Sequence, residues 1–413
     1  MSTSTETRAG AAAAAQAGLV SRRHNVAFWI VSYAFAVTMA FSALPAPLYV
    51  LYQARDHFST FMITVIFAAY AVGVVASLFL AGHLSDWVGR RRMVLLAVAT
   101  NMLSGVLFLL WPATAGLIVA RVVSGASIGM LTATATAYLN ELHAAARPGA
   151  GTSRSEVVAT AANLGGIGLG PLLAGLLAQY AGHALVIPYL VAEVLMLAGA
   201  AALAVAPETA NVLRGADRPA YRPQRVSVPE AHRPRFLAAA VTGGAVFALF
   251  GVFTSVAPSL LADVLHNHSH AVAGVVAFAV FGAAAVAQIL FGKASRRAQA
   301  GLGGATVLAG LALVTASVWL PSFWLLLVGG IVAGAGAGTA FRGVVATVIS
   351  MTPPSARGEG LAGLFLGAYV GLAIPVVGLG VATLWVSLPV SVLGLSVVLA
   401  AVILASTRRL LQQ

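Results

Sequence analysis

Three ionisable residues stand inside long apolar stretches of this 413-residue chain: Arg121, Glu193 and Arg342. A charge in such surroundings is costly unless it meets a partner, a ligand or water, so each is a candidate functional group. Glu193 has apolar neighbours on both sides, which suits a proton carrier or a structural pair to another helix. Arg342 suits an anionic substrate group or the balancing of an acid. Other chemistry is scarce. The absence of cysteine excludes disulfides, thiol catalysis and thiolate metal sites. Lys293 is the only lysine; it follows Gly292 but precedes Ala294, and Ala287 stands where a phosphate-binding loop needs its first glycine. No H-E-x-x-H helix occurs. His266-x-His268-x-His270 has no acidic residue close behind it, and Ser269 reads as a helix N-cap, so no metal site is expected. The chain reads as a non-enzyme without a cofactor.

The elements that must hold these residues follow from composition. The chain is 60% hydrophobic and 8% charged, with a mean hydropathy of +0.95. An average soluble domain carries about 25% charged residues, and disordered chains carry more, so both classes are excluded. Apolar runs cover 26–50, 60–82, 92–112, 114–140, 156–180, 184–206, 236–262, 269–291, 301–320, 322–350, 358–382 and 386–406. Each is close to or above the ~20 residues that a membrane-crossing helix needs, and a lipid-embedded backbone must satisfy its own hydrogen bonds. The expected fold is an all-α integral membrane protein of about twelve transmembrane helices in two six-helix bundles. The expected organisation is a tail over 1–25, disordered through residue 21 and lacking a signal peptide, a first bundle over 26–206, and a linker over 207–235. A second bundle over 236–407 and a tail over 408–413 complete it. All of the 23 Lys+Arg except Arg55, Arg121 and Arg342 fall in the tails, the long linker or alternate loops. The positive-inside rule then makes both termini cytoplasmic, and the +12 net charge is an orientation signal rather than a nucleic-acid footprint.

The two halves repeat. Leu80-Ala81-Gly82 and Leu290-Phe291-Gly292, Gly125/Gly129 and Gly334/Gly338, and Arg147 and Arg357 recur about 210 residues apart, and Pro171 faces Pro375. Parallel repeats of this kind place a binding site near the midplane between the halves.

Gly82-His83-Leu84-Ser85-Asp86-Trp87-Val88-Gly89-Arg90-Arg91-Arg92 lies between the second and third spans and resembles the signature loop of the major facilitator superfamily, G-x-L-x-D-x-x-G-R-R/K. The resemblance implies that Asp86 contacts the start of the eleventh helix and latches the cytoplasmic side shut. It also implies that Gly82, Gly89 and Arg90 belong to this latch and that Glu141, at the end of the fourth helix, completes a charge relay. Arg121-x-x-x-Gly125-x-x-x-Gly129 is similar to a second family motif, whose arginine is linked to proton movement; at about 100° per residue the three positions share one face. Gly166-x-x-x-Gly170-Pro171-Leu172-Leu173-Ala174-Gly175 resembles the motif of the family's exporters, with Ala174 departing from it. Such a small-faced helix is expected to pack against the other bundle. The second half keeps only Gly292-Lys293-Ala294-Ser295-Arg296-Arg297, without the acid, so the latch is expected on one side of the pseudo-symmetry.

The resemblance implies a secondary active transporter, a monomer in the plasma (inner) membrane that binds a small molecule and the lipid bilayer but no nucleic acid. The leading expectation is proton-coupled export of amphipathic molecules or metabolites by alternating access, with a proton gradient as the energy source. The alternative is proton symport taking up a small anionic metabolite. Phe41, Tyr49, Phe250 and Tyr369 are candidates for the walls of an aromatic cavity.

Overall fold

The computed structural model describes residues 2–81, 84–210, 221–353 and 356–412; the side chains of 2–19 and of Asp86 lie outside that description, as does Gly82. Twelve helical spans long and apolar enough to cross a bilayer are present among the described residues. They are α1 Val20–Asp56, α2 Thr60–Ala81, α3 Arg90–Leu110, α4 Thr114–Ala146, α5 Ser153–Tyr180, α6 Ile187–Ala204, α7 Glu230–Ser255, α8 His270–Leu290, α9 Arg296–Trp319, α10 Phe323–Met351, α11 Arg357–Ala382 and α12 Leu388–Gln412.

Local chemistry sets several boundaries. Ser269, Ser295 and Ser322 cap α8, α9 and α10, each side chain accepting from the backbone N–H three residues on. The helix that contains most of α1 stops at Ala43, because Pro45 and Pro47 cannot donate to the carbonyls of Phe41 and Ala43; a tight turn at Ala46–Leu48 then leads into Tyr49–Asp56. One expectation is corrected. The first helix begins at Ser2, so the stretch expected to be a disordered tail is helical, in keeping with its run of alanines, the best helix formers.

The two halves pack by one plan. Within the first half α1 touches α4, α5 and α6, α4 touches α2 and α3, and α3 touches α6; within the second, α7 touches α10, α11 and α12, α10 touches α8 and α9, and α9 touches α12. The glycine stripes carry the equivalence down to atoms. A Cβ on Gly125 would meet the Tyr70 carbonyl and one on Gly129 the Val74 carbonyl; a Cβ on Gly334 would meet the Val280 carbonyl and one on Gly338 the Ala284 carbonyl, the same pairs shifted by one repeat. Small residues let these backbones touch where no hydrophobic force drives helices together in lipid.

The halves meet through α2 on α11 and α5 on α8. Toward the face opposite the basic loops the contact is dry: Val252, Val256, Val376 and Leu379 share one buried core with Ile63, Phe67 and Leu44. Toward the basic face they part, leaving a vestibule of about 1160 Å³ between α2/α4 and α10/α11.

Candidate functional site

A smaller chamber lies at the inner end of the vestibule and shares Ile128, Thr132, Phe365 and Tyr369 with it. Its walls come from α1, α2, α4 and α5 of one half and α7, α8, α10 and α11 of the other; α3, α6, α9 and α12 contribute nothing. Phe247 is the hub of its aromatic side, with ring centroids 5.1 Å from Phe341, 5.3 Å from Tyr369 and 6.3 Å from Phe250.

Arg121 is the one ionisable candidate in the lining. It is 2% exposed, and its Nη1 donates to the Ser42 carbonyl at 2.6 Å. That carbonyl is free because the helix ends at Ala43, one residue on, so it belongs to a terminus whose last carbonyls lack intrahelical donors. The guanidinium carbon sits 4.4 Å from the Tyr70 ring centroid and 5.7 Å from that of Phe67. Arg121 Nε and the Tyr49 hydroxyl, both buried at the chamber, have no hydrogen-bond partner among the described residues. Among the described residues no Asp or Glu lines the chamber.

The other expected site residues fall elsewhere. Glu193 stays half-buried on α6, away from the chamber, with its Oε1 unpartnered and lodged where a Cβ on Gly105 of α3 would stand 1.8 Å away. Arg342 also misses the lining; its Nη2 pairs with Glu156 Oε2 at 3.3 Å across the two halves, and its Nε donates to the Gly292 carbonyl. Of its two expected roles, the geometry provides the balancing of an acid. Phe41 is not a cavity wall either: its place on the helix turns its ring to α3 and α6, where it packs on Phe108 and Tyr189 at 6.4 and 6.3 Å. Tyr49, Phe250 and Tyr369 do line the chamber. In α5, Gly166 and Gly170 face the backbone of α1 in their own half, at Ala36 and Ala40, whereas Gly168 faces Phe278 and Phe281 of α8 and Gly175 the His270 carbonyl in the other half; the Pro171 carbonyl meets Gly274 of α8.

At the basic face the loop residues form a network. Arg90 Nε donates to Glu141 Oε1 at 3.1 Å, and its Nη1 to the Ser85 hydroxyl at 2.6 Å. The second oxygen of Glu141 accepts from the Thr209 hydroxyl. Glu208 accepts from the backbone N–H groups of Arg90 at 2.8 Å and Arg91 at 3.2 Å, supplying two of the acceptors that the start of α3 lacks. Arg91 Nη1 in turn donates to the carbonyls of Ala204 and Ala206 at the end of α6. Sequence reasoning missed Glu208, Thr209 and Glu156. A signal for the first existed in Pro207-Glu208-Thr209, a carboxylate placed at once after a span and beside a basic loop.

The linker after residue 220 forms a strap across the vestibule. Tyr221 Oη donates to the Leu80 carbonyl at 3.0 Å and Gln224 N to the Phe79 carbonyl at 2.8 Å, both at the end of α2. Two residues on, Val226 fills the space at Gly363 of α11, where a Cβ would lie 2.6 Å from its Cγ1. Arg222 and Arg225 line the vestibule, with Glu359 of α11 facing them from its wall.

Twelve spans, two alike halves and a chamber open to one face define a secondary transporter. The chain belongs to the Major Facilitator Superfamily, whose family model matches residues 26–297. Among solved structures it is similar to the crystal structure of the human organic anion transporter MFSD10 (TETRAN), with a TM-score of 0.67 over 94% of this chain and 99% of that one. At 17% identity the likeness is one of fold. No curated protein matches the sequence.

Proposed function

We propose that this chain exports small amphipathic organic anions across the plasma (inner) membrane by alternating access, using the proton gradient. One observation carries the substrate class: Arg121 lies buried in an aromatic chamber with no carboxylate among the described residues of its lining. Burying a charge costs several kcal/mol, and the bond to the Ser42 carbonyl with the ring contacts to Tyr70 and Phe67 offsets only part of it, leaving Nε unpartnered. A bound anionic group makes up the difference, and its apolar body fits the rings around Phe247. The neighbour in fold is described as an organic anion transporter, which agrees with this chemistry.

Direction is supported by one feature: the glycine-rich, proline-containing stretch of α5 resembles the exporters' motif apart from Ala174. Glu193, unpartnered in an apolar setting, is the proposed proton carrier. It acts from behind the wall, since α6 does not reach the chamber.

The test compares a carboxylate-bearing dye with its methyl ester in vesicles of known orientation. Arg121→Gln is expected to slow efflux of the acid at least tenfold and to leave the ester unaffected. Equal handling of acid and ester by the wild type removes the anion reading. Dye moving with the proton, rather than against it, replaces export with symport. Transport in Glu193→Gln is expected to lose its dependence on the pH gradient; an unchanged dependence rules Glu193 out as the carrier.

A further inference from the structure

Between the start of α1 and the end of α6 runs a groove of about 350 Å³, floored by Val26, Ala27, Ile30 and Val205 and rimmed by Arg22 and Arg23. It lies at the basic face, on the outside of the molecule and away from the chamber. Its floor remains apolar and open, with Val26 53% and Val205 71% exposed. Both arginines are exposed, and neither has an ion pair among the described residues.

The facing wall's carbonyls already have other donors. The Ala206 carbonyl already accepts from Arg91, and the Pro207 carbonyl accepts from the Tyr138 hydroxyl. Glu208, the next residue, is committed to the backbone of α3. Two guanidiniums at the rim of an apolar cleft, at the depth where a span leaves the bilayer, call for an anion joined to hydrocarbon. Guanidinium suits phosphate through its planar fork of donors.

We propose that this groove binds an acidic phospholipid, the phosphate between Arg22 and Arg23 and an acyl chain along Val26, Ile30 and Val205. The site acts on the transporter through its wall. Ala206 and Pro207 run directly into Glu208 and Thr209, which hold the start of α3 and Glu141, so an occupied groove braces the segment that organises the basic-face network. The proposal does not depend on the identity of the transported substrate.

The experiment uses the purified full chain in nanodiscs of phosphatidylcholine with increasing phosphatidylglycerol, read by retained lipid in native mass spectrometry and by the thermal unfolding midpoint. Phosphatidylglycerol is expected to be retained and to raise the midpoint, whereas inorganic phosphate and pure phosphatidylcholine do neither. Arg22→Gln/Arg23→Gln is expected to weaken apparent binding roughly thirtyfold, at about 1 kcal/mol per arginine near an anionic surface. Val205→Trp, which keeps both charges and fills the cleft, is expected to lose the retained lipid as well, so the result does not hang on the foldability of the charge variant. Arg408→Gln/Arg409→Gln, at the far end of the chain, is expected to behave as wild type. Equal binding in wild type and both groove variants overturns the proposal, as does an equal loss in the distal pair or an equal effect of free phosphate.

Discussion

Gly89 has φ +104° and ψ +148°, a region that is essentially glycine's alone, and its missing Cβ leaves room for Glu208 Oε2, which would lie 2.5 Å from it. Two separate penalties therefore meet at one position. Gly89→Ala is expected to destabilise the protein by about 1–3 kcal/mol from the backbone alone. Glu208→Ala is expected to cost about 1 kcal/mol, as loss of a helix N-terminal acceptor does. Thermal unfolding of the double variant separates the causes, since removing Glu208 relieves the clash but leaves the φ strain; full recovery would show that only the clash mattered. At this scale the sequence was an uneven guide. Arg121, Glu193 and Arg342 are equally visible as charges among apolar residues, yet one faces the chamber, one faces α3 and one crosses to Glu156. What separates them is the rotation of each helix about its axis. That rotation is set by partner helices far away in the chain, and no local periodicity reports it when every face of a span is apolar.

Elements were far more legible. Length and hydropathy located all twelve spans because an uninterrupted apolar run of about 20 residues crosses a bilayer only as a helix. The glycine stripes were legible too, because close backbone approach admits nothing larger. They make an internal control possible. Gly125→Val and Gly334→Val, at equivalent places in the two repeats, are each expected to prevent α2–α4 or α8–α10 docking, measured as loss of the monodisperse species after detergent extraction. Gly394→Ala, where a new Cβ meets nothing within 4 Å, is expected to be neutral or stabilising by up to about 1 kcal/mol. A tolerated valine at Gly125 would mean that this helix pair has slack that the structure does not show. The element that was misjudged, the helical first twenty residues, and the contacts of the strap, which were not foreseen, both belong to tail and linker rather than to a span, where composition alone leaves water as a competing partner.

At the scale of the whole molecule, the vestibule and the buried seal opposite it fit one end of the proposed alternating-access cycle. Under that reading, closing the basic face brings the ends of α2 and α11 together, and the strap occupies the space they would share. The Glu156–Arg342 pair links the halves on the other side of the opening. Because the chain has no cysteine, an introduced pair is the only one present. Val226→Cys/Gly363→Cys brings two Cβ atoms within about 4 Å, a separation that a disulfide spans. Oxidation is expected to hold the strap in the vestibule and stop transport, reductant to restore it, and either single variant to be insensitive to both. Continued transport in the oxidised double variant would show that the strap need not leave.

The strap is also part of the chain that joins the two halves, so it never diffuses away from the mouth it covers. A short tether of this kind presents its own residues at an effective concentration in the millimolar range. Any solute entering from the basic face competes with that resident occupant, whereas one arriving from the opposite face does not. Apparent affinity is therefore expected to be asymmetric even where the chamber itself is indifferent to side: half-saturation measured from the basic face should exceed that measured from the other, and shortening the strap should bring the two values together; equal values in the wild type would show that the strap imposes no barrier.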